Sequence, residues 1–418
     1  ELNVNLKKCR EEQRINEGIP DVFGKLYDDL GYNKIFNLRN NQTLNATLKT
    51  CVLARIANPS SKYRTSELVE EDFGIRLPVD RIYRMLDQLE KLEERVKNFI
   101  SQSSLSVVGN KVNVLLYDVT TLYFESFSVD DIRRFGFSKD CKFKEVQIVL
   151  VMITTPEGLP ISFELFHGST SEVNTLVPSI TKLKSRFKLD KIEFTADRGL
   201  FSDKNLKLLE DNEIEYVVAA KLKNMSQKTQ KEILKIKEGN LEQSLIKEVQ
   251  YKGRRLIISY SPSRATKDRK DRKRLLERLE KLVDHSGEVD LSKVINNNGT
   301  KKYLKYDKKQ KNTATINYDK LQLEEAWDGV HGVITNSNTI TPMEAISKYK
   351  NLWVIEETFR INKHDLKLRP IFHSNKNRIL AHLLLCFIAY SLARQLMLRT
   401  KIQYEPLTPF TQKLAKYF

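Results

Sequence analysis

Three carboxylates stand out by their surroundings. Asp118 lies inside an otherwise apolar run, NVLLYDVTTLYF, where a charged group is costly to bury unless it is paired or holds a metal. Asp197 follows KIEFTA directly, in TADRGLFS, so a glycine turn would expose it at a strand end, where sites collect in α/β sheets. Glu356 sits in YKNLWVIEETFRINK, with Tyr349 seven residues before it and Lys363 seven after. Seven residues are close to two helical turns and drift by only about 20° per step, so the three would share one helix face. Trp353 and Arg360 fall on the same stripe, while Leu352, Ile355 and Phe359 point to a core-facing side. Taken singly, each acid could be a salt-bridged or turn-forming residue. The setting of Asp118 and Asp197 on two strands of one sheet favours a site.

The elements that must carry these residues can be read from periodicity. Residues 1–110 are expected to be helical: PDVFGKLYDDLGY and VDRIYRMLDQLEKLEERVKNFI keep apolar residues at helical spacing. Between Ser61 and Leu86 a weak helix-turn-helix pattern surrounds a glycine turn. From residue 111 the pattern changes to strands: KVNVLLYDVTTLYF, then KEVQIVLVMITT and LPISFELF as a hairpin turning at Pro156–Gly158. A helix with Ser171 as its N-cap, a strand (KIEFTA), a helix and a strand (IEYVVAA) follow. Residues 222–325 differ, being rich in Lys, Asn and Gln, with alternating strands and one basic helix, Arg264–Lys281, that holds nine Lys or Arg against four Asp or Glu. Beyond it, WDGVHGVITN reads as a strand. TPMEAISKYKNLWVIEETFRINKHDL reads as one long helix capped by Thr341 with Pro342 at its first position, and NRILAHLLLCFIAYSLARQLML as a final apolar helix. That last run carries His382, Arg394 and Gln395, so it is expected to be a buried core helix rather than a membrane span.

Composition narrows the partners. The 418 residues include 71 Lys plus Arg against 54 Asp plus Glu, a formal net charge of +17, which favours a polyanion, nucleic acid before an anionic membrane. The four cysteines, Cys9, Cys51, Cys141 and Cys386, lie far apart with no CxxC and no paired histidine spacing. That disfavours a zinc ribbon or a disulfide scaffold and suits a reducing, cytoplasmic setting. A first residue Glu1 in place of Met suggests that the natural start lies upstream.

These motifs, in this order, resemble a DDE transposase of a prokaryotic insertion sequence, of the group with a Tyr-Arg-Glu-Lys signature and a β-rich insertion domain. Asp118, Asp197 and Glu356 match the three acidic positions, and Tyr349 and Lys363 the ends of the signature. Leu352 stands where the signature has Arg, so Arg360 or Arg198 would supply that cation. GFSKD at Gly136–Asp140, SPSRATKDRKDR at Ser261–Arg272 and RPIFHSNKNRILAHLLLCFIAYSL near the end extend the likeness over about residues 20–395.

The resemblance implies an α/β fold: an RNase H-like catalytic core with a β-rich insertion and a helical N-terminal region. The expected division is 1–110 as a helical DNA-binding region, 111–221 as the first part of the core, and 222–325 as the insertion. The second part of the core would be 326–398 and a tail 399–418. It implies cleavage of DNA ends and their joining to target DNA by phosphoryl transfer, with two Mg²⁺ or Mn²⁺ ions held by Asp118, Asp197 and Glu356. Both steps are in-line displacements that two such ions can support, and oxygen ligands suffice for them. DNA contacts are expected from Tyr349, Trp353, Arg360, Lys363 and Arg198, and from Arg264, Lys267, Arg269, Lys270, Arg272, Lys273 and Arg274 of the basic helix. Trp353 would either stack on an unpaired base or pack in the core. The expected partners are terminal inverted repeats, target DNA and a second copy of the chain, with no membrane. A catalytically inactive or domesticated DNA-binding derivative is the alternative, and a cellular RNase H-like nuclease is disfavoured by the long insertion.

Overall fold

The computed structural model describes residues 15–37, 39–109, 114–136, 144–186, 193–196, 202–283, 288–290, 300–306 and 313–400. By contact density the chain forms two compact units, one of residues 1–215 with 351–418 and the other of residues 216–350.

The first unit opens with helices. A π-helical turn at Pro20–Gly24 leads into α1 (Lys25–Asp29), followed by α2 (Gln42–Ala57), α3 (Lys62–Phe73), α4 (Val79–Leu89) and α5 (Glu93–Val107). The run expected to be six continuous turns is broken between α4 and α5 by a 3₁₀ turn, Glu90–Leu92, which redirects the apolar stripe. Helix α3 has a strong start and stop: the Ser61 side chain accepts from the Arg64 N–H, and Gly74 ends it with a left-handed backbone, φ 65°. Residues 74–78 join α3 to α4, so the expected helix pair exists.

Three antiparallel strands come next, β1 (Val114–Tyr123), β2 (Gln147–Thr154) and β3 (Pro160–His167), then α6 (Leu176–Arg186), β4 (Glu193–Ala196) and α7 (Asp203–Asp211). Strand order in this unit is β3-β2-β1-β4, with β4 parallel to β1. This is the expected α/β, RNase H-like arrangement. The strands are buried on both faces, which explains their near-continuous apolar sequences. The cap assignment at Ser171 is corrected: its side chain makes no capping bond, and it precedes a 3₁₀ turn, Glu172–Asn174, so α6 begins five residues later at Leu176.

The second unit holds β5 (Glu215–Ala219, which begins at the unit boundary), α8 (Gln227–Leu234), β6 (Leu245–Tyr251), β7 (Arg254–Tyr260) and α9 (Pro262–Glu280). A small sheet of β8 (Val289–Asp290), β9 (Leu304–Tyr306) and β10 (Thr313–Ile316) follows, then α10 (Tyr318–Glu325), β11 (Val330–Thr335) and α11 (Pro342–Lys350). Strands β5, β11, β7 and β6 are successive antiparallel neighbours. A two-residue turn, Lys252–Gly253, with both φ values positive (52° and 76°), sets the β6–β7 register. Helix α9 buries Leu279 against Val289, Tyr303, Leu304, Ala314 and Leu321, with Leu275 and Leu276 alongside.

The last elements return to the first unit: α12 (Trp353–Arg360), a π-helical turn at Ile361–Asp365, and α13 (Lys376–Arg399). The expected single helix from Thr341 is therefore three pieces. Its start is as read, a reciprocal cap in which Thr341 Oγ1 accepts from the Glu344 N–H and Glu344 returns a bond to the Thr341 N–H. It breaks at Asn351, a poor helix former, where the bonds tighten to Val354 N–H to Asn351 O and Ile355 N–H to Leu352 O. Helix α13 is long and apolar enough to cross a membrane, but it is largely buried among the other elements of its unit, as expected of a core helix.

One polar cluster is buried in the helical layer. Lys62 Nζ lies 3.2 Å from His382 Nδ1, and Arg55 donates to Ser60 O at 2.8 Å. Burial, reinforced by Arg55, lowers Lys62 from 10.5 to about 7. An unfolded lysine keeps its proton to a higher pH, so between about 7 and 10.5 the unfolded chain binds more protons and folding stability rises with pH. The histidines do not titrate there, His373 lying at about 4 and His382 far down, whereas the thiols of Cys51, held at about 11, and Cys386, also raised, offset part of the rise once unfolded thiols ionise toward pH 9. Urea denaturation in phosphate-free buffer from pH 7 to 9 should show stability rising by up to about 1.4 kcal/mol per pH unit from this group. Lys62→Met should flatten that dependence. An unchanged slope in the variant would mean Lys62 is not the titrating group.

Candidate active site

Asp118 lies at the middle of β1, opposite Met152 of β2, and is half-buried between the fully buried Tyr117 and Val119. Its Oδ1 accepts the N–H of Val119 at 2.7 Å. The contrast with Glu164 on β3 is informative. Glu164 is buried and bonded by two lysines, Lys97 at 3.4 Å and Lys182 at 2.7 Å, so it is a compensated structural charge. Asp118 keeps partial access to solvent between buried neighbours in the middle of its strand.

The parallel ladder brings β4 alongside β1 with Tyr117 opposite Ala196. These residues immediately precede Asp118 and Asp197, respectively. Asp197 and Arg198 lie outside the described residues. Among the described residues no group of three His, Cys, Asp or Glu side chains gathers as a metal site.

Glu356 is exposed in the first turn of α12, and α12 packs against β1. The opposite face of α12 is buried through Val354, Ile355, Glu357, Thr358 and Phe359. Leu352, at the position of the signature Arg, is also buried. Trp353 is 53% exposed, so it is not a core residue. Arg360 is half-buried at the end of α12.

The one-face reading of the Tyr349–Glu356–Lys363 stripe is corrected on both sides. Tyr349 belongs to α11, beyond the break at Asn351, where it packs beside Ile346 and meets His331 edge-on with ring centroids 4.7 Å apart. Lys363 is half-buried within the π-helical turn. A π-turn winds more slowly than an α-helix, so Lys363 is not in α-helical register with Glu356.

The basic helix α9 presents Arg264, Lys267, Arg269, Lys270, Lys273 and Arg274 to solvent. Arg272 departs from the expectation. It turns inward, its Nη2 2.7 Å from Asp328 Oδ2 in a two-pronged pair, and Asp328 is buried. Its charge is neutralised inside the fold, so Arg272 secures the helix instead of tracking phosphates.

The Transposase DDE domain family matches residues 110–392, which spans the strands, the inserted unit and both final helices. The chain belongs to this family. Among solved structures it is similar to a piggyBac transposase synaptic complex with hairpin DNA, at 8% identity and a TM-score of 0.47, over 96% of this chain and 77% of that one. A pre-cleavage Mos1 transpososome aligns at 14% identity and a TM-score of 0.19, over 41% of this chain and 58% of that one. Comparison with curated protein sequences gives no match.

Residues that the sequence reading missed hold α12 of this transposase domain in place. Arg394 of α13 pairs with the buried Glu357 at 3.0 Å and donates from Nε to Glu157 O at 2.6 Å. Burial pushes the Glu357 carboxyl above its ordinary range, and Arg394 offsets part of that. One turn earlier on α13, the Tyr390 hydroxyl donates to Gly158 O at 2.7 Å and lies 2.7 Å from Thr358 Oγ1. The β2–β3 turn, the helix bearing Glu356 and α13 are thereby joined. Gly158 fits because φ is +80° and a Cβ there would come within 2.7 Å of Arg394. The one sequence sign was Arg394 itself, a cation in an apolar helix.

At neutral pH, Arg394→Met should cost about 3–5 kcal/mol in urea denaturation, because it strands a buried carboxylate. Trp353→Ala should stay within ~0.5 kcal/mol of the parent, as exposed positions do. A larger loss in Trp353→Ala than in Arg394→Met would place the indole, not the ion pair, in the supporting core.

Proposed function

We propose that this protein is an active transposase that binds the terminal inverted repeats of an insertion sequence, cuts the DNA ends and joins them to target DNA. The observation that carries the reading is the Tyr117–Ala196 register, which pairs the residues just before Asp118 and Asp197, with the Glu356 helix packed on the same strand β1.

The donor set fits a hard divalent cation: Asp118 is an oxygen donor with solvent access inside an apolar strand, and Glu356 is exposed on a helix fixed from behind. Asp118, Asp197 and Glu356 would hold Mg²⁺ or Mn²⁺, two ions in all, which when bound activate the attacking hydroxyl and stabilise the leaving oxygen. The residues of this chain do the positioning. The β-ladder fixes the backbone of Asp118, and the Val119 N–H holds its Oδ1 at 2.7 Å. Trp353, exposed in the same first turn of α12 as Glu356, offers a flat face to an unstacked base. Arg360 and Lys363 supply cations for phosphates near the scissile bond, Arg360 or Arg198 replacing the signature Arg that Leu352 lacks. Tyr349 keeps a proposed DNA contact from the second unit. Helices α3 and α4 are the proposed reader of the terminal repeats. An element has two ends, so a pair of copies would be needed to hold both.

Purified protein with its own terminal repeats and Mn²⁺ should nick DNA, and Asp118→Asn should reduce cleavage at least a thousandfold while leaving repeat binding within about threefold. Normal cleavage by that variant would refute the catalytic assignment.

DNA binding should also weaken steeply with salt, with a log–log slope of about −0.9 per phosphate contact. Replacing Lys267, Lys270, Lys273 and Arg274 by Glu should make the slope shallower, whereas Arg272→Leu should lower stability instead. An unaltered slope in the fourfold variant would make the exposed face of α9 a bystander.

A further inference from the structure

A cavity of about 600 Å³ opens in the first unit between the start of α3, α4 and the segment that leads from the π-turn into α13. Its volume is in the range that holds small ligands. Two buried cations line it, Arg55 (4% exposed) and Lys62 (5% exposed). Arg55 is bonded to two main-chain carbonyls, Ser60 O at 2.8 Å and Leu366 O at 3.5 Å, and Lys62 to His382. Among the described residues neither cation has a carboxylate partner. The acids in the vicinity are already engaged: Asp87 with Arg378, and Glu67 and Glu71 with Arg64. A buried guanidinium without a carboxylate is costly, and an anion would relieve it and favour the charged form of Lys62.

Two further features converge on the same cavity. The N-terminal turn of α3, with Ser60, Ser61, Lys62, Tyr63 and Arg64, forms one wall, and a helix start favours anions. The rim is aromatic: Phe372 is 69% and Tyr63 66% exposed, with Tyr83 and His373 between them. These exposed faces, grouped at one cavity, give a flat group something to stack on. Lys367 sits on the rim in a left-handed backbone, φ 43°, a conformation that a residue with a side chain adopts at some cost.

We propose that this cavity binds a nucleotide, with its phosphate on Arg55, Lys62 and the α3 N-terminus and its base against the Phe372 and Tyr63 rings. Neither Asp118 nor Glu356 lines it, so it is separate from the proposed catalytic carboxylates. The occupant is either an unpaired nucleotide of a DNA strand or a free mononucleotide, and both present the same phosphate and base.

Calorimetric titration of the full chain at pH 7 without divalent metal decides the matter. The probes are deoxyadenosine 5′-monophosphate, inorganic phosphate, deoxyadenosine and a 5′-phosphorylated single-stranded oligonucleotide. The monophosphate should bind tightest, inorganic phosphate more weakly and deoxyadenosine weakest. Phe372→Ala should lose at least tenfold for the monophosphate with inorganic phosphate unchanged. Lys62→Met should lose at least tenfold for both. Phe372 is exposed, so its variant remains informative even where Lys62→Met fails to fold. Competition by the oligonucleotide would support a strand nucleotide, and its absence a free one. Asp118→Asn should bind the monophosphate like the parent, so the pocket and the transposase reading fail separately. No heat with either phosphate probe, or parent-like binding by the folded Phe372→Ala variant, would overturn the proposal.

Discussion

The buried ion pair between Glu357 and Arg394 is the constraint on which the placement of Glu356 depends. Taking two charges out of water costs several kcal/mol each, so such a pair adds little net stability. Its value lies in register. Arg394 also bonds Glu157 O, and Tyr390, one turn back, meets Thr358 and Gly158 O. Sliding α12 by one residue one way would put Thr358 where Glu357 must be and leave the guanidinium buried without its carboxylate; sliding it the other way would give Arg394 the Glu356 carboxylate but put Glu357 in place of Thr358 against the Tyr390 hydroxyl. The penalty for that error is what keeps Glu356 on the exposed side of α12.

The same logic separates structural from functional charge elsewhere. Glu164 and Asp328 are buried and Arg272 half-buried; all three are paired, and their partners explain them. Asp118 and the cations on the outer face of α9 differ in keeping access to solvent. Arg55 and Lys62 form a third class, buried cations bonded only to neutral groups, and a lowered Lys62 near 7 is the physical sign that its surroundings do not favour the charge.

Much of this was legible in the sequence because apolar periodicity reports burial. Asp118 announced itself as one charge in a buried strand, the strand and helix order of residues 114–219 came out as read, and α13 showed by its polar residues that it is a core helix. The helix around Glu356 was harder. The break at Asn351 and the π-turn at Ile361–Asp365 involve neither Pro nor Gly; a single Asn is a weak signal and nothing marks the π-turn, so the seven-residue spacing suggests one stripe across both. Partners distant in sequence were also invisible: Arg272 finds Asp328, and Arg394 reaches a turn more than two hundred residues earlier. Arg55 and Lys62, in ARIANPSSKYRTS, read as ordinary surface residues until the fold encloses them.

If Glu356 holds metal as proposed, the contacts of α13 act on that binding through it. A double-mutant cycle tests it most directly: Mn²⁺ affinity measured by electron paramagnetic resonance, with terminal-repeat DNA present, for the parent, Tyr390→Phe, Glu356→Gln and the pair together. The account predicts that each single change weakens Mn²⁺ binding and that Tyr390→Phe adds nothing once Glu356 is Gln. Strictly additive losses would contradict it, showing that the Tyr390 hydroxyl supports the fold without positioning the carboxylate.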